Sequence, residues 1–158
     1  MRPDERFAAE LASAILKASG EDIEDQLLGQ LVQRAGLSGT LGGEIALSLS
    51  IARRWGGLGM DMARLVLISV LIEAGKQFWA DYIQDKLVAS GASATADGAG
   101  SIARRLLQGE ECRVAWERFA ALARDAGAKE GLPQRQLEAV LARQRDGRVA
   151  SALGAGGG

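Results

Sequence analysis

Apolar residues recur along this chain at helical spacing. Phe7, Leu11, Ala14, Ile15 and Ala18 fall three or four positions apart and predict one face of a first helix. Pro3-Asp4-Glu5 suits its first turn, and Gly20 suits its end. Ile23, Leu27, Leu28, Leu31, Val32 and Ala35 predict a second helix, with Gly36 as its left-handed stop and Leu37 as the closing apolar contact. Ser38 or Thr40 can cap a third, which runs through Leu41, Ile45, Leu49 and Ala52 to Arg53-Arg54. Gly42 and Gly43 weaken its first turn unless a neighbour approaches closely there.

The longest such stretch, 61–89, has two halves. From Met62 to Ile72 apolar residues point every way, the mark of a buried helix. From Phe78 to Val88 they narrow to one stripe, Phe78, Trp79, Tyr82, Ile83, Leu87 and Val88. The helix is therefore expected to enter the core and then emerge. Four β-branched residues in Leu65–Ile72 offer a strand as the rival reading, but no partner strand is apparent.

Ser90–Gly100 (SGASATADGAG) reads as a flexible loop. Beyond it come a short helix at 101–108, a longer one at 110–126 and a last one opened by Pro133 with Leu137, Val140 and Leu141. The longer one carries Cys112, Ala115, Trp116, Phe119, Ala123 and Ala126 on one face. The expectation is an all-α fold, a helical bundle of about six to seven helices around the long central helix 61–89. Residues 1–89 form a four-helix core, and 90–100 is the loop. Residues 101–146 are an Arg-rich helical part of the same domain or an arm, and 147–158 is a disordered Gly-rich tail. Ser50-Ile51-Ala52-Arg53-Arg54 recurs as Ser101-Ile102-Ala103-Arg104-Arg105, which reads as one helix-end solution used twice.

Composition narrows the chemistry. The 158 residues contain no histidine and one cysteine, Cys112. His-based triads are excluded, an internal disulfide is impossible, and metal or haem cofactors are not expected. Cys112 on an apolar face reads as a structural thiol, which fits a reducing, cytoplasmic setting. No run of apolar residues is long enough to span a membrane. Glu73 can pair with Lys76, and acid–base work by it near Asp81 and Tyr82 is the less ordinary reading. Gly56-Gly57-Leu58-Gly59 and Gly75-Lys76 lack the rest of any phosphate-binding motif and read as turn and packing glycines.

Charge adds one contrast. Residues 1–89 carry nine basic against twelve acidic side chains, and 90–158 carry ten against eight, nine of the ten being Arg. The Arg set at 104, 105, 113, 118, 124, 135, 143, 145 and 148 could grip phosphates, or it could form ion pairs with interleaved acids. Residues 28–47, through Ala35-Gly36-Leu37-Ser38, resemble the helix-turn-helix segment of small repressors. That resemblance implies a recognition helix after the Ala35–Ser38 turn. Gly42 and Gly43 depart from it, and the face offers no Arg, Lys, Asn or Gln for base edges.

The function expected from these readings is a non-catalytic helical interaction or assembly module, an adaptor or oligomer. Its protein partner or second copy would meet Phe78, Trp79, Tyr82 and Ile83. The alternative is a nucleic-acid-associated small subunit that contacts phosphates through Arg104, Arg105, Arg143, Arg145 and Arg148.

Overall fold

The computed structural model describes residues 3–54, 59–85 and 112–142. These form six α-helices, with no strand among the described residues. They are α1 Pro3–Ala18, α2 Asp22–Ser38, α3 Leu41–Arg54, α4 Gly59–Phe78, α5 Cys112–Glu130 and α6 Gln134–Ala142. A π-helical turn, Trp79–Ile83, extends α4. The bundle is all-α, as the periodicity implied, and Leu65–Ile72 is helix. The loop expected at 90–100, the short helix at 101–108 and the tail at 147–158 lie outside the described residues.

The central helix is the hub. Leu67, Ile68, Val70, Leu71 and Ile72 are all buried, as an all-round apolar surface requires. α1, α3 and α5 pack around it, and α2 closes on α1 and α3. Buried side chains from all six helices join one core cluster.

α1 crosses α4 at very short range. A Cβ built on Gly75 would lie 2.8 Å from Ala8 Cβ and 2.9 Å from Ala8 Cα. Only glycine allows backbones this close, so Gly75 is a packing glycine, as the sequence suggested.

Two helix ends follow the same chemistry. Gly20 and Gly131 have φ of 74° and 75°, the left-handed conformation that glycine adopts without strain. The Glu21 N–H then donates to the Leu16 carbonyl at 2.9 Å, and the Leu132 N–H to the Gly127 carbonyl at 2.9 Å. These six-to-one bonds occupy carbonyls that a helix end leaves without partners.

α2 departs from expectation at both ends. It continues through Gly36 to Ser38, and the positive φ belongs to Gly39. The extra residues rotate Leu37 outward, where it is 87% exposed instead of closing the helix. Ile23 is also exposed, because the buried line runs through Glu24, Leu28, Leu31 and Ala35. Glu24 accepts a hydrogen bond from Arg64 Nε at 3.1 Å, so the inward position is filled by an ion pair to α4.

α3 starts at a double cap. Thr40 Oγ1 accepts from the Gly43 N–H at 3.1 Å, the local cap read from the sequence. The second cap comes from 36 residues away: Glu5 Oε2 accepts from the Leu41 N–H at 2.6 Å. Glu5 is buried, so this carboxylate ties α1 to the start of α3. Replacing Glu5 with Ala would leave a buried N–H without its partner. A stability loss of about 2 kcal/mol in chemical denaturation is the expected outcome.

The C-terminal helices are tied in by similar means. Ser19 Oγ donates to the Val140 carbonyl at 3.1 Å in a buried position, joining the end of α1 to the last turn of α6. Leu137, Val140 and Leu141 are buried, as the stripe after Pro133 predicted.

Candidate interaction surface

The aromatic stripe expected at the emerging end of the central helix turns inward instead. Phe78, Trp79 and Ile83 are all buried, and Tyr82 is half-buried. Phe7 of α1 covers one side, 6.5 Å from Phe78 and 5.4 Å from Trp79 between ring centroids. Phe119 of α5 meets Phe78 edge-on at 5.9 Å, and Trp116 lies 5.3 Å from Phe119. Tyr82 stacks on Phe78 at 5.3 Å, with the Arg118 guanidinium 5.4 Å from its ring centroid. These are the separations at which aromatic pairs and cation–π contacts are favourable. The residues read as an interaction stripe are therefore core. The reason is that α5 supplies a matching aromatic face. The π turn helps, because its extra residue shifts the register as the helix leaves α4.

Among the described residues, large apolar side chains stay exposed at Ile23 and Leu37 on α2, at Val114 on α5, and as a pair one turn apart on α3. Its inner face, Leu41, Ile45, Leu49 and Ala52, is fully engaged in the core, in the register predicted. Its outer face carries Leu47 and Ile51, 56% and 48% exposed. Four residues apart on a helix, they stand one above the other as a single patch. Gly43, Ala46 and Ser50 are also exposed, which gives the patch a low flank. Arg53 and Arg54 close the helix at its negative dipole end, and Glu44 lies in its first turn. Sequence reasoning passed over Leu47 and Ile51. The signal was present as two apolar residues opposite the 41–45–49–52 line.

The charged candidates divide. Arg124 forms a fork on Glu138, through Nε at 2.5 Å and Nη2 at 3.2 Å. Hydrogen bonding to Arg124 lowers the Glu138 pKa, and the same bond raises that of Arg124. Lys129 pairs with Asp125 at 3.2 Å, and Lys76 with Glu73 at 3.9 Å, the pairing expected for Glu73. Arg135 is exposed on α6. Arg104, Arg105, Arg143, Arg145 and Arg148 lie outside the described residues, as do Gly56, Gly57, Leu58 and the side chains of Cys112 and Arg113. Among the described residues no group of three His, Cys, Asp or Glu could hold a metal, and no helix is long and apolar enough to cross a membrane.

The Ala35-Gly36-Leu37-Ser38 segment is the last turn of α2, and Gly39-Thr40 makes the connection to α3. The helix that follows shows water Leu47 and Ile51 along its length, and its exposed Arg53 and Arg54 stand only in its last turn. Compared with family models, curated proteins and solved structures, the chain matches none.

Proposed function

We propose that this chain is a non-catalytic helical interaction module that meets another protein through the outer face of α3. The observation that supports this most is the exposure of Leu47 and Ile51 on a helix whose opposite face is completely buried. Side chains one turn apart are the usual anchors when a helix is taken into a partner's apolar groove. Lone exposed aliphatics are common on protein surfaces, but a paired ridge beside small residues forms a contiguous patch that water solvates poorly. Leu37, in the last turn of α2 just before α3, adds a third exposed aliphatic. A cytoplasmic setting fits the single cysteine.

The test is photo-cross-linking in cells that make the protein. A benzoylphenylalanine in place of Leu47 is expected to give a discrete protein adduct on irradiation. The same group in place of Gln33, exposed on α2, is expected to give none. Equal yields at the two positions, or no adduct at 47, would overturn the reading.

A further inference from the structure

The outer face of α3 is cationic at one end as well as apolar. Leu47, Ile51 and Arg54 stand at i, i+4 and i+7, and all three are exposed. At about 100° per residue they fall within about 60° of arc. Arg53 is exposed too, but it lies about 100° round the helix from Arg54. Among the described residues no ion pair engages either arginine. Glu44, on the flank of this face, is half-buried and already engaged within the chain, so it does not offset them. The line therefore runs from two aliphatic side chains to an unpaired cation, about 10 Å along the axis from Leu47 to Arg54.

Resting on the reading of this face as a contact surface, we infer that its occupant is an acidic amphipathic helix of another protein, laid antiparallel to α3 with a carboxylate on Arg54. Aliphatic side chains of the partner cover Leu47 and Ile51, and its carboxylate takes the guanidinium in the two-pronged geometry that arginine favours. The orientation follows from the acid. Helices favour Asp and Glu in the first turn, where their dipole is positive, and only an antiparallel partner brings that turn level with the last turn of α3. Arg54, Ile51 and Leu47 are then met in order by an Asp or Glu, an aliphatic three residues later and a second aliphatic four beyond that. The small residues Gly43 and Ser50 beside the ridge let the partner backbone approach, since side chains at the contact set the distance between packed helices. The apolar pair supplies most of the affinity, and the charge fixes direction and register. A second copy of α3 does not fit this pattern, because its own outer line carries no acid.

Selection of displayed helical peptides on the full chain tests this, with counterselection on the Leu47→Glu/Ile51→Glu chain. Enriched peptides are expected to carry an Asp or Glu three and seven residues before two aliphatics. Enriched peptides without that acid, or no peptide that depends on Leu47 and Ile51, would overturn the inference. Fluorescence anisotropy of an enriched peptide then reads the charge, with helicity of each variant checked by circular dichroism. Arg54→Glu is expected to weaken binding by about tenfold, because a like-charge contact replaces an attractive one. Arg53→Glu makes the same change in net charge at the same helix end, and it is expected to weaken binding by less than about twofold. Replacing the peptide acid with Arg is expected to restore binding to the Arg54→Glu chain. Equal effects of the two arginine changes, or a failed restoration, would each overturn the pairing. Vesicles of phosphatidylcholine with about one-third phosphatidylserine are expected not to retain the chain. Retention that is lost in Leu47→Glu/Ile51→Glu would make the face a membrane contact and overturn the inference. A cellular adduct at position 47 whose partner segment lacks the acid ends the inference and leaves the contact-surface reading standing. Absence of both adduct and enriched peptide ends that reading too.

Discussion

Phe78→Ala is expected to cost about 3–5 kcal/mol, the usual range for deleting a buried aromatic ring. Phe78 is 3% exposed and touches the rings of Phe7, Tyr82 and Phe119, which come from three different helical segments. Removing it opens a cavity where α1, the end of α4 and α5 meet. Domains are commonly stable by only about 5–15 kcal/mol, so this is a large share of the total. For a chain of this size the melting temperature should fall by roughly 10 °C. Calorimetry of the purified variant checks it. The outcome also bears on where contact with other proteins occurs. A variant that melts like wild type but loses a partner would return the 78–83 stripe to the surface.

Gly75 is the second position with a large expected effect. In Gly75→Ala the new methyl must displace the Ala8 backbone, because the clash is with Cα as well as Cβ. Overpacking of this kind costs about 1–3 kcal/mol, and the better helix propensity of alanine returns about 1 kcal/mol of it. A small net loss is expected. Gly75→Val adds two further methyl groups at the crossing and brings no such return, so it should cost several kcal/mol or prevent folding. Gly29→Ala is the matched control. Gly29 is helical and exposed, and a methyl group there would meet nothing within 4 Å, so the same change should stabilise by up to about 1 kcal/mol. Denaturant midpoints of the three variants should therefore fall on both sides of wild type. If Gly75→Ala and Gly29→Ala shift stability in the same direction, the close crossing of α1 and α4 is wrong.

Much of the bundle was legible because local periodicity carries it. Leu41, Ile45, Leu49 and Ala52 were placed correctly on the buried side of α3, and Leu137, Val140 and Leu141 on that of α6. Gly20 was read correctly as a stop, since only a left-handed residue ends α1 there. What stayed illegible depended on distant partners. A stripe such as Phe78–Ile83 shows which side of a helix is apolar, but not which element covers it. The cover came from Phe7 and Phe119, each far away along the chain. Glu5 looked like an ordinary first-turn acid, and its bond to the Leu41 N–H has no local signature. Glu24 took an inward position because Arg64, forty residues on, neutralises it. That substitution turned the stripe of α2 and left Ile23 outside.

The same limit explains the surface. Leu47 and Ile51 looked like part of a generally apolar helix until the inner face was seen to be full. Their exposure then became the feature without a role in the fold, and the proposed function rests on it. A Leu47→Glu/Ile51→Glu variant separates contact from folding, because both side chains point away from the core. The deciding measurement is the native size of the tagged full chain in extracts of the cells that make it, wild type against this variant. A wild-type complex larger than one chain, reduced to the size of one chain in the variant, is the predicted result. Identical elution of the two would contradict the assignment of α3 as the contact surface.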